Sequence, residues 1–80
     1  MKVQGFVVRE TEAAVAFVRE SDAAVQNVRP LWVPRKKITA LMELDLAGKR
    51  IATAQDGERI GVPTLIEIDA EFAERVKLVA

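Results

Sequence analysis

The hydrophobic residues of this chain come in short runs, several of them alternating with polar residues, and pleated strands are the structure that buries such runs. Along residues 38–46, Ile38, Ala40, Met42, Leu44 and Leu46 fall on one face and Thr39, Glu43 and Asp45 on the other, with Leu41 the one exception. A strand turns successive side chains to opposite faces, so this spacing predicts a strand with one buried face. Residues 2–9 read as another, carrying Val3, Phe6, Val7 and Val8. Residues 13–18 are apolar at all six positions, which predicts a short strand buried on both faces. With three Phe, one Trp and no Tyr, the core must come from Val, Ile, Leu and Ala. The branched members of that set have a stiff χ1 that suits the pleated surface.

Turn signals divide the runs. Glu10-Thr11-Glu12 is a polar break and Glu20-Ser21-Asp22 is turn-like. Residues 22–28 fit two readings: one or two helical turns capped by Asp22 and ended before Pro30, or a strand. Leu31-Trp32-Val33 reads as a short strand stopped by Pro34, which has no N–H for a ladder, and Arg35-Lys36-Lys37 as a polar corner. Ala47-Gly48 predicts a hairpin whose return strand, residues 49–54, pairs with the strand before it. Asp56-Gly57 is a second turn, followed by one strand bent or interrupted at Gly61 and Pro63. The period then changes. Phe72, Val76 and Val79 share a helical face, Asp69 stands at the N-cap position, and Glu71 and Glu74 are followed by Arg75 and Lys77, as the helix dipole favours. A short helix over about 70–78 is expected.

These elements predict a mostly β fold with one short C-terminal helix. The architecture expected is a small barrel or strongly bent antiparallel sheet, SH3-like or OB-like, forming one domain over residues 1–80. A chain of this length buries about 60% of its unfolded surface, so its core is thin and gains from a partner. A protein partner or self-association is therefore expected.

The composition also limits the chemistry. There is no Cys and no His, which removes disulfides, zinc–thiolate sites, thiol catalysis, the commonest general base and the commonest transition-metal ligand. Glu43 and Asp45 read as exposed strand residues, Asp56-Gly57-Glu58 is too short for a calcium loop, and Gly48-Lys49 lacks the upstream Gly of a phosphate loop. No catalytic residue, metal, cofactor or small-molecule substrate is indicated, and the expectation is a non-enzymatic binding module. The longest apolar run is six residues, far below the roughly 20 that span a bilayer. Residues 1–5 do not lead into a secretory apolar segment. A cytoplasmic, non-membrane protein is expected.

Twelve basic and twelve acidic residues cancel, but unevenly: residues 29–50 carry a net +4 and residues 51–80 a net −3. Within the basic stretch the single Trp stands beside three consecutive cations, in Trp32-Val33-Pro34-Arg35-Lys36-Lys37. An aromatic face next to Arg and Lys is how single-stranded nucleic acid is held, with the base on the ring and the phosphate on the cations. The alternative to a protein-interaction role is thus a nucleic-acid site built from Trp32, Arg35, Lys36 and Lys37, helped by Arg29, Lys49 and Arg50. Against it, Trp32 would serve equally as the largest core residue, and nucleic-acid domains are usually basic overall.

Thr11, Ala14 and Val15, then Trp32, Val33, Pro34 and Arg35, and more loosely Ile66-Glu67-Ile68 followed by Phe72-Ala73-Glu74, resemble a pattern in small phage and prophage proteins. Those proteins pair a Thr-x-x-Ala-aliphatic strand with a Trp-aliphatic-Pro-basic corner. Lys36 stands where that pattern has Ser, Asp69 where it has Pro, and residues 20–29 are extra. The resemblance covers about half the chain and implies a small β fold and a phage-like setting, without an assigned activity.

Overall fold

One long strand carries most of the sheet. In a computed structural model of the chain, residues 1–44, 47–54 and 56–76 are described. They form β1 (Lys2–Glu10), β2 (Ala14–Arg19), β3 (Leu31–Pro34), β4 (Ile38–Glu43), β5 (Lys49–Thr53), β6 (Gly57–Ile68) and α1 (Ala70–Arg75), with 3₁₀ turns at Glu20–Asp22 and Arg35–Lys37. The strand order is β3-β2-β1-β6-β4, every neighbour antiparallel, and β5 also pairs with β6.

The twelve residues of β6 serve three partners. Its first part pairs with β5, from Thr53 opposite Gly57 to Lys49 opposite Gly61. Its second part pairs with β4, from Glu43 opposite Thr64 to Ile38 opposite Ile68, and with β1, from Val7 opposite Val62 to Lys2 opposite Glu67. Pro63 does not interrupt this strand. It stands at the break between β4 and β5, where its carbonyl accepts the Leu44 N–H at 2.8 Å and no continuous partner strand calls on the N–H it lacks.

The sheet is strongly curled, and its two faces bury separate clusters. Under α1 lie Val7, Val15, Phe17, Val33, Ile66 and Ile68 with Ala73 of the helix; Phe72 and Val76 pack at its margin. On the other face lie Val8, Ala16, Val18 and Ile51, closed over by Ala23 and Val28 from the segment between β2 and β3. Strand β2 feeds both clusters in alternation, which is the two-sided burial its sequence predicts. In β1, consecutive Val7 and Val8 reach opposite clusters, as neighbours on a strand do, and a bulge at Val8 leaves it without a partner residue in β2. Val28 also exchanges two 2.9 Å backbone hydrogen bonds with β5 and its end, to the Ala52 carbonyl and from the Ala54 N–H. Residues 22–28 are therefore neither a helix nor a strand beyond this single bridge.

Three expectations need correction. The Ala47-Gly48 segment does not form a hairpin between β4 and β5. Both strands run antiparallel to β6, so they follow one another in the same direction along it. The tight turn is the later one, where Gly57 adopts a φ of 71°, a region that suits glycine, and the Thr53 hydroxyl bridges the Gly57 carbonyl (2.8 Å) and the Asp56 N–H (3.2 Å). Second, β4 has no buried apolar face. Ala40, Met42 and Leu44 are exposed because β4 is the outermost strand and nothing packs on that side of it; Asp45 and Leu46 lie outside the described residues. Third, Asp69 does stand at the N-cap of α1, its carbonyl accepting the Ala73 N–H at 2.9 Å, but its carboxylate makes no capping bond and lies 3.8 Å from the Lys37 ammonium. The helix itself spans Ala70–Arg75, and residues 77 and 78 of its expected range lie outside the described residues. Among the described residues no helix is long and apolar enough to cross a membrane.

Candidate interaction surface

Burial along one face of β6 falls steadily from one end to the other. Ile68, Ile66 and Thr64 are fully buried, Val62 is half-buried and Ile60 is 58% exposed. These alternate residues share a face, and α1 covers only its C-terminal end. The uncovered end forms a groove of about 190 Å³, in which Ile60 and Val62 of β6 meet Leu41 and Glu43 of β4 and Val7 and Arg9 of β1. The Arg9 guanidinium is engaged 3.4 Å from the Asp56 carboxylate, so the groove has an apolar floor and a charged rim.

Strand β4 borders this groove and is open in two further ways. Met42, on its other face, is 60% exposed. Its outer edge is also unpaired among the described residues. In an antiparallel strand the N–H and C=O of one residue point to the same side, and successive residues alternate. Leu44 donates to β6, so Met42 and Ala40 also face β6, and Leu41 and Glu43 direct their N–H and C=O outward. A bulge between Ile38 and Ala40 disturbs only the start of the strand.

The opposite edge of the sheet is protected. The Arg35 N–H donates to the Ala13 carbonyl at 2.9 Å, so Val33 and Leu31 face β2 while Trp32 and Pro34 face outward. Pro34 has no N–H, which weakens this edge as a site for a further strand. The edge of β4 contains no proline. The alternation in the sequence assigns Met42 and Leu44 to a core, and nothing local in the sequence marks Ile60 as uncovered, so these residues come from the structure alone.

Several of the basic residues singled out in the sequence are engaged within the fold. Arg35 folds back on the β1–β2 turn, its Nε donating to the Thr11 carbonyl at 2.8 Å and its Nη2 lying 3.8 Å from Glu10. Lys37 faces Asp69, and Arg50 lies 3.3 Å from Glu58. The Lys49 ammonium stands 5.8 Å from the centroid of the Phe6 ring. Arg29 and Lys36 are exposed. Trp32 is 37% exposed, on the face of β3 opposite to buried Val33 and half-buried Leu31. With Arg35, Lys37 and Arg50 already facing acidic side chains, short single-stranded DNA added at low salt is expected to leave Trp32 emission unchanged. Quenching that recovers on adding salt would support the nucleic-acid assignment instead. Compared with protein-family models, curated proteins and solved structures, the chain matches none.

Proposed function

We propose that this chain is a non-enzymatic protein-interaction module that docks through β4 and the groove beside it. The observation that carries this reading is the state of β4: an outer strand with an unpaired backbone edge and exposed apolar side chains on both faces. Exposed edges of this kind recruit further strands, and a contiguous apolar surface with a polar rim is the usual form of a protein contact. The thin core and balanced net charge support it.

The double variant Leu41→Lys/Ile60→Lys tests this directly. Both positions are exposed, so folding stability should change by no more than about 0.5 kcal/mol. Used as matched baits, wild type should retain at least one protein, a second copy of the chain included, that the variant loses. If the two baits retain the same proteins, or neither retains any, the reading is wrong.

A further inference from the structure

We propose that the occupant of the β4 edge is a second copy of this chain, paired antiparallel about a two-fold axis close to Leu41. This rests on the interaction reading above and names its partner.

Two features of β4 select a copy of itself. The first is charge. The strand leaves the basic corner Arg35–Lys37 and ends at Glu43. Antiparallel pairing of two such strands brings the acidic end of each beside the basic end of the other, whereas parallel pairing stacks like charges. Lys36 is exposed and no acid lies within 4 Å of it among the described residues, so a cation is available for this contact. The second is hydrogen bonding. Leu41 and Glu43 are the residues of β4 that direct N–H and C=O outward. A two-fold axis at Leu41 sets Leu41 opposite its own copy, so each satisfies the other's outward groups. The β3 edge is the poorer match, because Pro34 removes one of the two outward donors in its four residues. Closure through β4 alone gives a finite dimer, in which the sheets of the two copies join edge to edge.

Sedimentation of the full chain between about 1 and 500 μM tests this, with three charge variants beside wild type. Wild type should rise from 8.8 kDa towards twice that mass as concentration increases. The amides of Leu41 and Glu43 should become protected from exchange over the same range. Glu43→Lys should weaken the dimer about tenfold, and so should Lys36→Glu/Lys37→Glu. Combining all three changes in one chain should restore it to within about threefold of wild type, since the opposite charges then face each other again. A monomer across the whole range overturns the second copy. If the Leu41→Lys/Ile60→Lys comparison still shows a partner in that case, the interaction reading survives without it; if that also fails, both are removed. A dimer indifferent to every charge variant, with Leu41 and Glu43 still exchanging freely, places the contact elsewhere and overturns the proposal.

Discussion

Replacing Phe17 by alanine should destabilise the fold by about 4 kcal/mol, read as a lower midpoint in urea unfolding. Phe17 is 1% exposed and is the largest side chain buried in the cluster beneath α1. Its neighbours there, Val15, Val33 and Ile66, come from β2, β3 and β6. They are fixed by ladder hydrogen bonds and cannot collapse far into the space the ring would leave. A domain of 80 residues has about 4 to 12 kcal/mol of stability in all, so this one change removes a large part of it. A loss below about 1.5 kcal/mol would mean that the cluster can repack and is less closely held than its burial implies.

Gly5→Ala should cost about 3 kcal/mol, although it adds only one methyl group. A Cβ built on Gly5 would overlap the Val18 carbonyl and come within 2.6 Å of the Phe17 ring. The ring can shift but the carbonyl cannot, because Val18 belongs to β2 and is paired with Phe6 beside Gly5. The aromatic ring covers the glycine, a device that restores packing where a strand lacks a side chain. The two changes should therefore be coupled. In the double variant the alanine at 17 makes room for part of the new methyl group, and the combined loss should fall short of the sum by about 1 kcal/mol. Strict additivity in the unfolding curves would show that the two residues do not share that space.

Much of this architecture is legible in the linear chain where a local rule decides it. The unbroken apolar run before Arg19 marks β2 as buried on both sides, the Asp56-Gly57 pair marks the hairpin between β5 and β6, and the change of period after Asp69 marks α1. What the chain does not display is which strand meets which. Ala47-Gly48 and Asp56-Gly57 carry the same turn signal, and only the second joins neighbours, because β5 finds its partner ahead of it in β6 rather than behind it in β4. For the same reason the alternation in β4 reads as a core face: period two says which side chains share a face, and the cover over that face comes from elsewhere in the sequence. The basic stretch followed the same logic. Its cations are plain in the sequence, but Glu10, Thr11 and Asp69, which engage Arg35 and Lys37, stand far from them along the chain.

The position of β6 also governs the order in which this protein can assemble. Apart from the single bridge of Val28 to β5, every strand pairing among the described residues that joins the β1–β2–β3 meander to β4 and β5 passes through residues 57–68. As the chain emerges during synthesis, β1, β2 and β3 can zip together early, while β4 and β5 wait with no strand to bind until most of the chain has been made. The contact between Lys2 and Glu67 then closes a loop of nearly the whole sequence. Such distant pairings place the chain among slow-folding topologies, and during the delay its apolar strands are open to any other chain nearby.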